Sequence, residues 1–248
     1  MNFSKRNLVI FSLVLLLVTP TLGVLAQEDG AEQQSGQQGQ PTVLATVNGS
    51  EITDQQLSQR TQVYQIIMTL SRQFRSFAQF LMTSEAGNTF LTEYRKYMLE
   101  NLIEQELQLQ KMDELGIEVN DEEIQEQIDN IIENNDQFED EKSLEDYLKN
   151  NQNMSLDDLK ASIRQNLRQQ KLREEVTGQV EVTEEEITSF YEQNKQNYTD
   201  DEGNVKPLEE VRDQIEGTIR NQKGNEAWTN WLEEVKEEAS IEKNLENL

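Results

Sequence analysis

The sequence predicts a mainly α-helical protein, an elongated multi-helix body with a small β element formed by its two ends. Apolar residues recur at helical spacing from Leu91 to Leu115, with neither Pro nor Gly before Gly116. Capping-box patterns mark the starts of several further helices. Only 35% of the 248 residues are hydrophobic, which is little for a compact domain, so we expect an open body.

The first 26 residues have the pattern of a secretory signal peptide. Lys5 and Arg6 precede an almost unbroken apolar run from Leu8 to Val18, and the segment ends at the small residue Ala26. An uncleaved anchor is the alternative, because the apolar segment is nearly as long as the ~20 residues that span a bilayer. We expect cleavage, and therefore a location outside the cytoplasm in the periplasm, the cell-wall space or the medium.

Residues 27–42 are polar and rich in Gln and Gly, which predicts a flexible linker before a folded domain at residues 43–248. The net charge is −26, and it becomes −28 when the two basic residues of the signal are removed. Such a charge repels nucleic acid and anionic lipid, so we expect no nucleic-acid partner and no stable membrane insertion after cleavage. The chain has no Cys, which excludes disulfides.

The segment Val43–Ile52 predicts a β-hairpin. Asn48-Gly49 lies between two short β-prone runs, and this dipeptide is the strongest short hairpin signal. Thr53 with Gln56 predicts the cap of the first helix. A lone hairpin is marginal in water, so a third strand is expected, and Ala239–Lys243 is the best candidate.

The run from Leu57 to Met82 is predicted to be helical and is apolar on nearly every side. A helix of this kind is normally buried in the core. The functional alternative is a partly exposed surface of Met and Phe side chains that repacks around varied polypeptides. The candidate binding residues are Ile67, Met68, Phe74, Phe77, Phe80 and Met82.

Capping boxes predict the later helices. Asn120 with Glu123 predicts a short acidic helix, and Ser143 with Asp146 predicts a brief helix over Leu144–Asn150. Ser155 with Asp158 predicts a longer helix over Leu156–Val176. Pro207 suits the first turn of a closing helix, in which Trp228 and Trp231 are expected to be core anchors rather than ligand groups.

The sequence MLENLIEQELQLQKMDELGIEVNDEEI, which ends at Ile124, resembles the central segment of the SurA/PrsA group of extracytoplasmic chaperones. In that group a long helix, a Gly-Ile step, a short link and an acidic capped helix follow one another. The similarity runs from about Val43 to Ile241. It implies a chaperone whose final strand pairs with its first, and it places the strand candidate Ala239–Lys243 accordingly.

Relatives in this group carry a parvulin prolyl-isomerase domain of about 90 residues after a Tyr-rich helix. In this chain only about ten residues separate Tyr198 from Pro207. The chain also has no His and no Cys, whereas parvulin sites use His beside Cys or Asp. We therefore expect that the isomerase domain is absent and that the chain is not an enzyme.

Neither catalytic residues nor a metal or cofactor site can be singled out. No spacing selects an acid/base pair among the 48 acidic residues. The acidic segment around Gly203 does not fit a calcium loop, because the first ligand position would fall on Tyr198. It predicts an exposed turn instead.

The function expected from these features is that of a holdase for unfolded or newly translocated secreted polypeptides. Two alternatives stay open: an inactive relative of the prolyl isomerases, and a structural or assembly protein of the cell envelope. Whether two copies associate as a homodimer is also left open by the sequence.

Overall fold

The computed structural model describes residues 41–248, so the predicted signal peptide and nearly all of the predicted linker lie outside the described residues. The strands are β1 (Val43–Val47), β2 (Ser50–Thr53) and β3 (Ile241–Lys243). The helices are α1 (Asp54–Thr61), α2 (Val63–Gln73), α3 (Arg75–Thr83), α4 (Glu85–Glu114), α5 (Asp121–Glu133), α6 (Glu141–Tyr147), α7 (Leu156–Thr177), α8 (Glu184–Asn194) and α9 (Leu208–Glu238). The predicted class, mainly helical with a small β element, is confirmed.

The three strands form one antiparallel sheet in the order β2-β1-β3. Asn48 and Gly49 both have positive φ, 50° and 91°, which is the type I′ turn that suits the twist of a two-residue hairpin. Val47 pairs with Ser50 on one side and with Ile241 on the other. The predicted meeting of the two chain ends is therefore confirmed.

The sheet packs against the middle of α4, the 30-residue helix predicted from the apolar spacing. Helix α4 begins at Glu85, six residues before the first residue of the predicted stripe, because Ser84 caps it by accepting a hydrogen bond from the Gly87 N–H at 3.0 Å. The cluster around it also takes one residue from α1 and one from α9. Its fully or almost fully buried side chains are Leu44, Ala45, Val47, Ile52, Leu57, Leu99, Ile103, Leu107 and Val235.

The end of α4 follows the sequence closely. Gly116 has φ 64°, the left-handed conformation that favours Gly after a helix. The Ile117 N–H then donates to the Met112 carbonyl at 2.8 Å. The start of α5 is the predicted capping box: the Glu123 N–H donates to Asn120 at 2.9 Å, and the Asn120 N–H donates to Glu123 at 3.0 Å.

The contacts divide the described chain into two compact units. One comprises residues 120–165, with α5, α6 and the start of α7. The other comprises residues 41–119 and 166–248, with the sheet, α1 to α4, the rest of α7, α8 and α9.

Within the smaller unit, one predicted helix start is wrong. Helix α6 is capped by Asp140, whose carboxylate accepts the Ser143 N–H at 2.8 Å, so Ser143 is the third helical residue and not the cap. Asp and Ser are about equally favourable caps, and here the Ser143 hydroxyl completes the box by accepting the Asp140 N–H at 3.1 Å. The Ser155–Asp158 box is confirmed, because the Asp158 N–H donates to the Ser155 hydroxyl at 3.1 Å.

Candidate functional site

The apolar run from Leu57 to Met82 does not form one helix but parts of three. Helix α1 is followed by the cap residue Gln62, which has φ 48°, and α2 is followed by the cap residue Phe74, with φ −132° and ψ 59°. No Pro or Gly marks either break. The Ser71 hydroxyl donates to the Ile67 carbonyl at 2.8 Å shortly before the second break, a side-chain bond that competes with helical hydrogen bonding.

Because of the breaks, α2 and α3 each bury one side. Ile67, Ala78 and Leu81 are buried, with exposed fractions of 8% or less. Helix α3 approaches the first turn of α4 so closely that a Cβ on Gly87 would lie 2.5 Å from the Leu81 Cα. Only Gly fits there, because real Cβ atoms do not come so near to a backbone atom.

The other five candidate residues are exposed. The exposed fractions are 42% for Met68, 59% for Phe74, 52% for Phe77, 48% for Phe80 and 58% for Met82. We call these five residues the apolar surface. Ile67 belongs to the packed face of α2 instead, so it supports this surface from beneath.

The exposed apolar side chains are concentrated in this part of the chain. Among residues 41–248, nine of the twelve exposed large hydrophobic side chains lie between Tyr64 and Tyr97. Single exposed apolar residues are normal on a protein surface, whereas a concentration of them indicates an interaction site. The concentration therefore favours binding over a purely structural role for α2 and α3.

Sequence reasoning missed part of this exposed set. Phe90 and Tyr97 on α4 are 58% and 62% exposed. They are seven residues apart, a spacing that puts both on one side of a helix. The same spacing is present in the sequence, but the apolar pattern that predicts α4 begins at Leu91 and does not include Phe90.

A second region, formed by α8 and α9, has its own core of Ile187, Val211, Ile215 and Ile219. Three aromatic side chains pack on it while partly exposed: Phe190, Tyr191 and Tyr198.

The connection between α8 and α9 is a small ordered turn. The Tyr191 hydroxyl donates to the Lys206 carbonyl at 2.8 Å, and Thr199 forms an isolated antiparallel bridge with Val205. Asp200 accepts N–H groups of Asn204 at 2.8 Å and Glu202 at 2.9 Å, and these bonds, led by that of Asn204, lower the pKa of its carboxyl. The turn is exposed, as predicted, and within residues 41–248 no group of three or more His, Cys, Asp or Glu is arranged to hold a metal ion.

The start of α8 carries an ion pair with α9. Lys223 Nζ lies 2.7 Å from Glu186 Oε1, and the Thr183 N–H donates to Glu186 Oε2 at 2.8 Å. The hydrogen bond from Lys223 and, after it, the bond from Thr183 hold the pKa of the Glu186 carboxyl below its ordinary value. Above that ordinary pKa the charged carboxylate stabilises the folded protein, and the stabilisation is lost as the pH falls through the folded-state pKa.

We therefore expect Glu186→Gln to lower the melting temperature at a pH of about 6, where the Glu186 carboxyl is charged in both the folded and the unfolded wild-type protein. The difference from the wild type should shrink and vanish as the pH falls below the folded-state pKa. Gln still completes the capping box, so the variant isolates the bond to Lys223. Glu185→Gln, which removes the same charge one residue away, is the control, and a difference that is constant over pH would contradict the assignment.

Two family models match the sequence. Residues 1–173 match the family described as SurA-like N-terminal domain, and residues 182–247 match the family described as PPIC-type PPIASE domain. The first match contains the apolar surface and the whole of α4, and the second contains α8 and α9.

Curated relatives agree with the first match. Foldase protein PrsA of Clostridium botulinum (strain Hall) is 28% identical over 165 residues, which is 64% of this chain and 47% of the relative. Chaperone SurA of Hydrogenovibrio crunogenus is 36% identical over 99 residues, which is 40% of this chain and 22% of the relative. The chain thus spans less than half the length of the curated relatives it matches.

A solved structure shows the same fold. It comes from work on the virulence factor PEB4 and the periplasmic protein Cj1289, described as two structurally related SurA-like chaperones of Campylobacter jejuni. The match has a TM-score of 0.56 at 14% identity and covers 81% of this chain and 98% of that one.

No helix among residues 41–248 is long and apolar enough to cross a membrane.

The second family match overturns two expectations. The isomerase domain was expected to be absent, and the chain was expected not to be an enzyme; the match of residues 182–247 shows that both expectations were wrong. The resemblance places the domain as an insertion between Tyr198 and Pro207. The matched residues are instead the helices on both sides of that connection and the final strand.

Proposed function

Because the chain belongs to the family of proteins with a SurA-like N-terminal domain, we propose that it is a chaperone that binds unfolded polypeptides through the apolar surface. The observation that carries this proposal is the exposure of Met68, Phe74, Phe77, Phe80 and Met82 above a packed face of the same helices. Met and Phe side chains adapt to varied partners, as a surface for many unfolded sequences requires.

The experiment is an aggregation assay. The chain without residues 1–26 is added in increasing molar ratio to a chemically unfolded client that shares no sequence with it, and light scattering is followed after dilution. We expect scattering to fall as the ratio rises, with suppression persisting at high salt, because burial of apolar area is not screened by ions. Unchanged scattering at a severalfold excess would contradict the proposal.

A second candidate function is prolyl isomerisation, favoured by the match of residues 182–247. Rotation of the X–Pro bond has a barrier of about 18–20 kcal/mol and needs no covalent intermediate. It is tested on a short proline peptide by following the approach to the cis/trans equilibrium with and without the protein. An acceleration proportional to protein concentration supports the activity, and an unchanged rate contradicts it.

We also propose that the chain acts outside the cytoplasm, with residues 1–26 removed as a signal peptide. The basic start, apolar run and small residue at Ala26 support this proposal. Intact-mass measurement of the protein from its native host checks it, since a mature chain starting at Gln27 is expected and a chain that retains Met1 would contradict cleavage.

A further inference from the structure

The apolar surface lies in a part of the chain that differs in charge from the rest. Residues 55–84 contain three arginines, Arg60, Arg72 and Arg75, and no Asp or Glu, in a protein with 48 acidic residues and a net charge of −26. This acid-free segment includes all of α2 and α3. The surface that we propose for polypeptide binding is therefore locally cationic on a strongly anionic protein.

The arginines of this part of the chain are also left without partners. Arg60, Arg72, Arg75 and Arg95 form no ion pair or side-chain hydrogen bond with any residue in the range 41–248. The five later arginines are all engaged: Arg164 pairs with Asp121, Arg168 with Asp113, Arg212 with Glu184, Arg220 with Glu216, and Arg173 bonds to Asn225 beneath the ring of Trp228. Charges that the fold does not use are available to a ligand.

Local helix stability does not account for Arg75. Arg60 and Arg72 lie in the last turns of α1 and α2, where a positive charge is favourable. Arg75 is the first residue of α3, where the positive end of the helix dipole makes a cation unfavourable. The first turns of α5, α7, α8 and α9 all carry acidic residues instead.

Arg72 and Arg75 are exposed and lie on either side of Phe74 in the sequence. Arg75 and Met82 are seven residues apart, which places them on the same side of α3. Since Phe74 and Met82 are among the most exposed residues of the apolar surface, apolar and cationic groups are interleaved across it.

We propose that this surface selects polypeptide segments in which apolar side chains alternate with acidic ones. The proposal rests on the proposed chaperone function and specifies the class of client. Phe and Met side chains bury the apolar residues of the segment, and Arg72 and Arg75 bond to its carboxylates, which a guanidinium can hold in a bidentate manner. Over the rest of the protein, the negative charge repels the same acidic segments, so binding is directed to this one face.

An anionic membrane is the other partner that a cationic apolar face fits. A membrane is an extended anionic surface, so it would also face acidic residues outside this segment and be repelled by the strong net negative charge. A peptide segment can lie on the cationic face alone, and the observations therefore favour a polypeptide. The test below also measures binding to vesicles and self-association of the protein, because either result would identify a different partner for this surface.

The test compares two labelled unstructured peptides that share the same Phe, Leu and Met residues and differ only in having Glu or the isosteric Gln between them. Binding to the chain without residues 1–26 is measured by fluorescence anisotropy. Net charge alone makes the Glu peptide the weaker ligand, whereas the proposal makes it about three- to tenfold tighter, which is the size expected of two exposed ion pairs. Raising the salt to about 0.5 M should bring the two affinities together.

Arg72→Gln combined with Arg75→Gln should abolish the preference while leaving helical content and binding of the Gln peptide unchanged. The matched control is Lys142→Gln with Lys149→Gln, which removes two exposed charges of the other unit that have no ion-pair partner within residues 41–248, and it should keep the preference.

Equal affinities of both peptides for the wild type would overturn the selectivity and leave the chaperone proposal standing, whereas binding of neither peptide would overturn both. Two further results would overturn the proposed partner. One is displacement of the peptide by vesicles with about 30% anionic lipid, if the double substitution of Arg72 and Arg75 abolishes vesicle binding. The other is self-association of the protein that the double substitution disrupts and the peptides do not.

Discussion

Replacing Phe74, Phe77 and Phe80 together with Ser should remove most of the ability to suppress aggregation while leaving the fold intact. Each of the three Phe residues is about half exposed, so the fold buries only part of its apolar area and a client can bury the remainder. Complete burial of one such side chain is worth about 1.5–3 kcal/mol. The loss of three rings should therefore weaken client binding by at least about tenfold, measured as the protein concentration that halves light scattering.

The matched control uses exposed apolar residues from elsewhere in the chain. Leu115, Val205 and Leu245 are 51%, 40% and 46% exposed, and replacing these three with Ser should leave suppression unchanged. Both variants should keep the helical content and melting behaviour of the wild type, since surface substitutions usually change stability by less than about 0.5 kcal/mol each.

The two ways in which the prediction can fail have different meanings. Unfolding of the Phe variant would show that the rings belong to a core, because one buried Phe→Ala alone costs about 3–5 kcal/mol. Retained fold with retained suppression would show that clients bind elsewhere. The assignment of client binding to the apolar surface is supported only if the variant keeps its fold and loses the suppression of aggregation.

The sequence predicted best the features that are encoded within a few residues. The Asn48-Gly49 turn, the Thr53–Gln56 and Asn120–Glu123 boxes and the left-handed Gly116 were all found where local hydrogen bonding and backbone sterics place them. Each depends on one or two side chains and on no distant contact. Such features can be recognised without knowledge of the fold.

The errors arose where tertiary packing decides. The breaks at Gln62 and Phe74 allow both Ile67 and Leu81 to be buried, and neither break is marked by Pro or Gly. Periodicity also cannot divide an all-apolar helix into a buried and an exposed side. It is α3 packing on Gly87 that leaves Phe77 and Phe80 outward.

The isomerase domain was missed for a different reason. The pattern of relatives predicts an insertion after the Tyr-rich helix, and the connection after Tyr198 is too short to hold one. The family match instead covers α8 and α9 themselves. Loop length is therefore a weak guide to domain content in this chain.

The largest loss of stability is expected from Leu99→Ala in the middle of α4. Leu99 is fully buried and packs in the cluster that joins α4 to the sheet, to α1 and to α9. Leu→Ala at such a position costs about 2–5 kcal/mol, because transfer free energy is lost and a cavity is left. Since folded domains are stable by only about 5–15 kcal/mol, the urea midpoint followed by circular dichroism should fall markedly.

Tyr97→Ala provides the control on the same helix, two residues earlier. Tyr97 is 62% exposed, so its removal should shift the urea midpoint little, and the two variants together test which side of α4 faces the core. Below its lowered melting temperature Leu99→Ala should still suppress aggregation, because it leaves every residue of the apolar surface in place. Equal destabilisation by both substitutions would contradict the packing of α4 on the sheet.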